Sequence, residues 1–522
     1  MISNVKSLWK VSQRQDLRSL AAFRILMATY LAYDIISRLQ NGKYSLLWYT
    51  SPGFLDPDDT PHRAPLHRIW FYRGSERFQI LSFVVAFLLV ISYGVGYKCN
   101  IYSKTLLWLS ITSMQCRCMP PHDGSDTYVR HLILWSIMLP VEQMWSLDSC
   151  FKGTSKRDCH RLIMKDTAGV WGIRLQFVFM YLGTVMARTI DLYGWNIFKS
   201  PWLPPKLNAV HFALNSSFAT RDSWLGNMVR TQLPLSQFMT FSAMIGEGIM
   251  PLLCIFIHEK YLYIPVTVLF LLHLGLFTLM NLPNWQFVGM LATTIWIPSH
   301  VWDKWQRYLA NQFPRYCNPP KVTVSIMEMQ KKDDSKIHDE FAFKRDIKGR
   351  KVKSFITYFL LIYMVYDFMG TRKWIQQLDS GDIGEALRFS QFWQMYNGPP
   401  KESKQLMVTG ALDVAENVNV WEWIRTKQVV QVNMTSFEEN IWTNFTHVYP
   451  NPRVERAVSD LLQSDKRLTY FLKSLCNMKG NRFQSITATI QTLKILPPNS
   501  ERIRFQRRIP DRSIHVKCQH TT

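Results

Sequence analysis

Of the polar and charged residues that fall within, or at the ends of, apolar stretches of this chain, seven are candidates for a site: Arg24, Asp126, Arg130, Arg188, Glu247, His273 and Gln286. A charged side chain near a bilayer centre costs about 2.5–3.5 kcal/mol on insertion scales, so each requires a partner or a polar cavity. Asp126 and Arg130, in GSDTYVRHLILW, stand four residues apart and share a helix face, as do Asp34 and Arg38 in AAFRILMATYLAYDIISRL. Glu247 in MIGEGIMPLL and His273 in FLLHLGLF are groups that can hold or pass a proton. NWQFVGM follows one loop after the histidine and brings Gln286 to the same end of the chain's apolar core. Arg188, in GTVMARTIDLYGW, closes an apolar run. A guanidinium, with a pKa above about 12 and no accepting lone pair, cannot serve as a general base near neutrality but can stabilise an oxyanion. Two readings of the set stand side by side. Either these are structural pairs and interfacial charges, or they line one polar chamber, with Arg188, Asp126, Glu247 and His273 as reacting groups and Arg24, Arg130 and Gln286 holding a ligand.

The elements that must position them are membrane helices. FQILSFVVAFLLVISYGVG and YIPVTVLFLLHLGLFTLMNL each approach the roughly 20 residues that cross a hydrocarbon core. Nine such spans are expected, starting at about residues 18, 78, 103, 128, 168, 236, 262, 285 and 353, the third and eighth being the weakest. The fold class is therefore an α-helical multipass membrane bundle of about nine helices, residues 1–370 with a charged cytosolic loop at 301–352, followed by a small soluble α+β domain over 371–522. In the latter, QLMVTGALDVAENVNVWEWI alternates around DVAEN as a hairpin would, and PRVERAVSDLLQSDKRLTYFLKSLC has helical spacing.

The formal net charge of +23 lies mainly between the apolar runs, which fits positive flanks of membrane helices and not a nucleic-acid surface. Lys6, Lys10 and Arg14 precede the first span and place the N-terminus in the cytoplasm; nine crossings then place the C-terminus in the lumen of the endoplasmic reticulum or another secretory membrane. The opening MISNVKSLWKVSQRQ lacks the apolar centre of a cleaved signal peptide. The sequons at Asn215, Asn433 and Asn444 all fall on the lumenal side of that topology, the expectation for a glycoprotein. Nine cysteines include no CxxC pair, so no metal site is expected; Cys116 and Cys118 read as packing at a helix end.

Several stretches together resemble the horizontally transferred transmembrane domain family, which includes the membrane part of the vitamin K-dependent γ-glutamyl carboxylases. LAAFRILMATYLAYDI is similar to its arginine-bearing first helix, SYGVGYK to the turn after the second, and PPHDGSDTYVRHLILWSIMLPVEQMWSLD to its loop and fourth helix. LLHLGLF resembles its histidine helix, and SQFWQMYNGPP with VTGALDVAENVNVW resembles a membrane-proximal extension of members outside the true carboxylases. The resemblance implies a chamber for a quinone-like, lipid-soluble molecule, with vitamin K hydroquinone as the cofactor in the carboxylases and an amine as their initiating base. Arg188 matches the position of that base, a lysine in the carboxylases, and Asp126 stands where they carry a histidine. The implied function is that of a carboxylase-like membrane protein that is not itself a γ-glutamyl carboxylase. The alternative is a noncatalytic protein that binds a lipid, or a partner through its lumenal domain.

Overall fold

The computed structural model describes residues 15–40, 76–117, 124–151, 163–164, 168–215, 223–280, 282, 284–312, 347–376, 387, 389–391, 393, 402–413, 415–420, 464–476, 482–495 and 505–518. Lys6, Lys10, Arg14, Cys118, Asn433 and Asn444 lie outside these residues, as does most of the 301–352 loop.

The main helices are α1 (Leu17–Gln40), α2 (Glu76–Val95), α3 (Ile101–Arg117), α4 (Gly124–Met138), α5 (Ala168–Arg188) and α6 (Leu233–Gly248, resumed as Met250–Phe256). They continue with α7 (Tyr263–Leu279), α8 (Trp285–Thr293), α9 (Ser299–Gln312) and α10 (Ile347–Thr371). Among the described residues, six stretches are long and apolar enough to cross a membrane: Leu17–Leu39, Arg77–Val95, Ala168–Tyr193, Leu233–Phe256, Glu259–Leu279 and Val352–Thr371. The expected third, fourth and eighth spans form helices too, but α3, α4 and α8 are only 17, 15 and 9 residues long. All three are packed among the longer helices, and nearly every residue of α4 is buried. Charges on a helix enclosed on all sides are tolerable only where they are paired, as Asp126 and Arg130 are. Pro251 interrupts α6: one turn beyond Glu247, it cannot donate to that residue's carbonyl, and the helix is interrupted at Ile249.

Beyond α10, four strands form an antiparallel sheet in the order β4-β3-β5-β6, with β3 at Glu402–Leu412, β4 at Ala415–Asn419, β5 at Ser485–Ile495 and β6 at Phe505–Lys517. The expected hairpin is β3–β4, closing with Leu412 opposite Ala415. Of the expected helical stretch over 452–476, residues 452–463 lie outside the described residues, and the rest forms α11 (Asp465–Cys476), whose Leu468, Phe471, Leu472 and Leu475 are buried. Its last residue forms a disulfide with Cys518, just past β6, which ties helix to sheet. A further two-residue ribbon pairs β1 (Gln15–Asp16) with β2 (Ile163–Met164) at the start of α1.

Candidate functional site

The residues selected from the sequence do not converge on one chamber; they fall into separate clusters. The first gathers where the C-terminal ends of α1 and α3 meet the N-terminal ends of α4 and α8. Asp34 accepts from Arg38 Nε at 2.9 Å and from Asn284 Nδ2 at 3.0 Å. Arg38 also donates to Asp126 at 2.8 Å, and Asp126 accepts from Gln115 Nε2 at 3.0 Å. The Gln115 carbonyl then accepts from Arg130 at 2.7 Å, so the glutamine bridges the aspartate and arginine that the sequence places one helical turn apart. Among the described residues, the network sets the buried Asp34 and Asp126 carboxylates against the Arg38 and Arg130 guanidiniums, and such pairing is what makes buried ions tolerable.

Arg24 lies toward the other end of the bundle and binds backbone only. It donates to the carbonyls of Gly94 at 3.2 Å, Val141 at 2.8 Å, Met144 at 3.2 Å and, in the shortest of these bonds, Trp145. These are carbonyls of the kind left over where helices end, which carry partial negative charge. Beside it, a Cβ on Gly96 would lie 2.3 Å from that of Ser146, and the Asp148 carboxylate accepts from the backbone of Lys98 and Cys99 at 2.9 and 3.0 Å. The arginine of LAAFR, the turn of SYGVGYK and the WSLD stretch thus form one interlocked joint.

Arg188 is ion-paired with Glu247 across α5 and α6. Its guanidinium stacks over Trp202 at 3.9 Å from the ring centroid, and its own carbonyl accepts from Ser200 Oγ at 2.7 Å. Carboxylate and indole together hold the side chain as a buried cation.

His273 on α7 meets Tyr181 on α5, with imidazole Nε2 and the phenol oxygen 2.5 Å apart. Tyr181 precedes Arg188 by two helical turns on the same helix face, a spacing visible in the sequence but not singled out from it. The ring of His273 rests against the backbone of α8 at Gly289, one turn beyond Gln286. Gln286 donates to the Leu282 carbonyl at 3.3 Å, leaving its own carbonyl oxygen without a partner. Neither His273 Nδ1 nor the Tyr128 hydroxyl has one, and all three atoms are buried. Trp285 lies between them, its ring 6.2 Å from that of His273 and 6.0 Å from that of Tyr128. Trp393, from the segment after α10, packs edge-on against Tyr128 at 5.9 Å. That segment is built into the bundle: Gln391 pairs with Gln176 at 2.8 Å, its backbone N–H donates to Asp367 at 2.5 Å, and Arg372 donates to the Trp393 carbonyl at 3.1 Å. Tyr128, Tyr181, Trp285 and Trp393 were not among the residues expected; aromatic side chains in an apolar sequence give no spacing signal that separates a site wall from core.

Among the described residues, no three His, Cys, Asp or Glu side chains gather as metal ligands would. A cleft of about 20 Å3, room for one water, is lined by Gln15, Asp16, Arg174, Glu259 and Trp296 and includes none of the sequence-selected residues. Asn215 is buried, and its side-chain amide donates to the His211 carbonyl at 2.8 Å, which turns that side chain inward. Comparison with known proteins finds no matching family model, no matching curated protein and no matching solved structure.

Proposed function

We propose that this is an integral membrane protein that holds a lipid-soluble, quinone-like molecule against His273, Tyr128 and Gln286, and that it is not a γ-glutamyl carboxylase. The observation that carries this reading is a pair of buried polar atoms without partners, His273 Nδ1 and the Tyr128 hydroxyl, on rings that flank Trp285, with a third, the Gln286 carbonyl oxygen, on the next residue of α8. Each such atom costs about 1–3 kcal/mol if nothing binds it, so they call for a ligand or ordered water with matching polarity. With Tyr181 donating to Nε2, a neutral imidazole carries its proton on Nδ1 and points a donor at the site. The Tyr128 hydroxyl is a second donor, and the Gln286 carbonyl is an acceptor. Donors suit the carbonyl oxygens of a quinone, the acceptor suits a quinol hydroxyl, and the indole gives a ring a flat apolar face. A bound quinone would supply redox chemistry that no side chain here possesses.

Arg188 gives this site no initiating base. Paired with Glu247 and stacked on Trp202, it serves as a fixed cation, and the Arg38 and Arg24 clusters likewise join helices. The charges are thus structural, and recognition falls to the neutral groups.

For the topology, we propose nine crossings with the N-terminus cytoplasmic and the sheet domain lumenal. In support, helix ends gather as alternate crossings require: Arg38, Gln115, Asp126 and Asn284 at one end, and Arg24, Gly94 and Trp145 toward the other. The eighth crossing completes the short α8 with extended backbone at Met280 and Ile297. The Cys476–Cys518 disulfide is the chemistry of an oxidising compartment and suits a lumenal domain.

The test is thermal unfolding of the detergent-solubilised protein with and without menadione, together with oxygen uptake and carbon dioxide fixation into glutamate peptides in the presence of a vitamin K quinol. Expected are a rise in melting temperature with menadione, its loss in His273→Ala and Gln286→Ala, and no fixation by wild type. A menadione effect unchanged in both variants, or no effect at all, overturns the binding site; fixation by wild type overturns the exclusion of carboxylase chemistry.

A further inference from the structure

α9, Ser299–Gln312, reads SHVWDKWQRYLANQ and is too polar to cross a membrane. Its position relative to the bundle is nevertheless tightly set. Trp302 is buried and donates from its indole to Ser19 Oγ at 2.7 Å. Asp303 and Gln306 accept from Arg18 at 2.8 and 2.7 Å. Both contacts are made at the first turn of α1, so they hold α9 level with the point where that apolar span begins. The neighbouring span begins at the same level: Glu259 accepts from the Ser299 N–H at 3.4 Å, and the rings of Tyr263 and His300 lie 6.4 Å apart. α9 therefore lies at the boundary between hydrocarbon and water.

The side of α9 turned away from these contacts is divided. Trp305 and Tyr308 are 48% and 60% exposed. At 100° per residue, Lys304, Arg307 and Tyr308 face away from Trp302 and Gln306, while Trp305 stands one turn from Trp302 at the edge of that face, its ring 5.8 Å from the buried indole. Lys304 and Arg307 are exposed, and the helix's one acidic residue, Asp303, is engaged by Arg18. Lys304 and Arg307, whose Nε donates to the Asp303 carbonyl at 3.3 Å, thus present positive charge beside the two exposed aromatic rings, at the depth where phosphate groups and glycerol backbones lie.

We infer that α9 is an interfacial lipid-binding helix that selects anionic phospholipid headgroups, with Trp305 and Tyr308 inserted at the headgroup level and Lys304 and Arg307 pairing with the phosphates. The charge sign and the depth set by Arg18 and Ser19 choose this occupant. By attraction to an anionic leaflet, each cation contributes about fivefold in binding.

The experiment reconstitutes the full chain into nanodiscs containing equal fractions of either brominated phosphatidylglycerol or brominated phosphatidylcholine and records tryptophan emission. The difference between wild type and Trp305→Phe isolates Trp305. Its quenching should be stronger with the anionic brominated lipid, and that preference should vanish in Lys304→Gln/Arg307→Gln while the melting temperature stays unchanged. Equal quenching by the two lipids overturns headgroup selection. Absence of quenching by both overturns the interfacial placement and leaves a protein partner or bulk water against this face. A preference that survives the double substitution assigns the selection to other residues and also overturns the proposal.

Discussion

His273 fills the space that a side chain at position 289 would need: a Cβ built on Gly289 lies 2.0 Å from the imidazole Cε1. Gly289→Ala is therefore expected to destabilise the bundle by about 1–3 kcal/mol, the usual range for overpacking a tight core. His273→Ala/Gly289→Ala should lose less than the two single changes added together, because the first opens the space that the second fills. Chemical unfolding in detergent measures all three, and strict additivity would show that α7 and α8 do not touch as described.

Arg188 and Glu247 test whether the buried charges are structural. Arg188→Ala strands a carboxylate that is 8% exposed, and Glu247→Ala strands a guanidinium that is 4% exposed. Breaking such a pair from one side costs about 3–5 kcal/mol, whereas replacing both members with apolar residues of similar volume is often near neutral. Arg188→Met/Glu247→Leu should accordingly melt closer to wild type than either single variant. Arg188→Lys keeps the charge but loses the planar stack over Trp202, so it should fall between the two.

The sequence carries local spacing well and tertiary partners poorly, as these residues illustrate. Asp34 and Arg38 are legible as a pair because four residues make one helical turn. Asp126 and Arg130 have the same spacing, yet Arg38 and Gln115 come from two other helices to satisfy them, and no local pattern encodes that. Arg24 could not be read as a structural clamp because its partners are backbone carbonyls, which every residue carries. The hairpin at β3–β4 was legible in its alternation; SITATIQTLKI of β5 alternates in the same way but was not singled out. The insertion of Trp393 against Tyr128 had a trace, the aromatic SQFWQM in an otherwise polar region, but not an address.

Cys99 supplies a pH-dependent readout outside the spans. Burial pushes its thiol up to about 11, so at pH 8 roughly one molecule in a thousand presents the reactive thiolate. Since its pKa is higher folded than unfolded, this group's contribution to stability is complete below the unfolded value, 9.0, and is lost as pH rises from there through about 11. Alkylation at pH 8 should label the exposed Cys150 quickly and Cys99 slowly, with Cys99 gaining sharply above pH 10. Asp148→Ala removes the carboxylate that holds the Lys98 and Cys99 N–H groups and should make Cys99 reactive at pH 8. Equal labelling of both cysteines in wild type at pH 8 would contradict the closed joint around Arg24.

Trp393 reports on how the region after α10 is joined to the bundle. Its Cβ sits where a side chain on Gly183 would be, 2.9 Å from a Cβ built there, while its indole donates to the Gln391 carbonyl at 3.1 Å. Trp393→Ala leaves a void between α4 and α5 and should cost about 3–5 kcal/mol. It also removes the aromatic edge beside the unpartnered Tyr128 hydroxyl, so a menadione-induced rise in melting temperature should shrink along with stability. Gln391→Ala separates the two effects. It breaks the bonds to Gln176 and to the Trp393 indole but keeps the aromatic ring, so it should lower stability by about 1–3 kcal/mol and leave the menadione response intact. If both variants lose stability equally and neither changes the ligand response, Trp393 is an anchor for the segment alone and forms no wall of the site at His273.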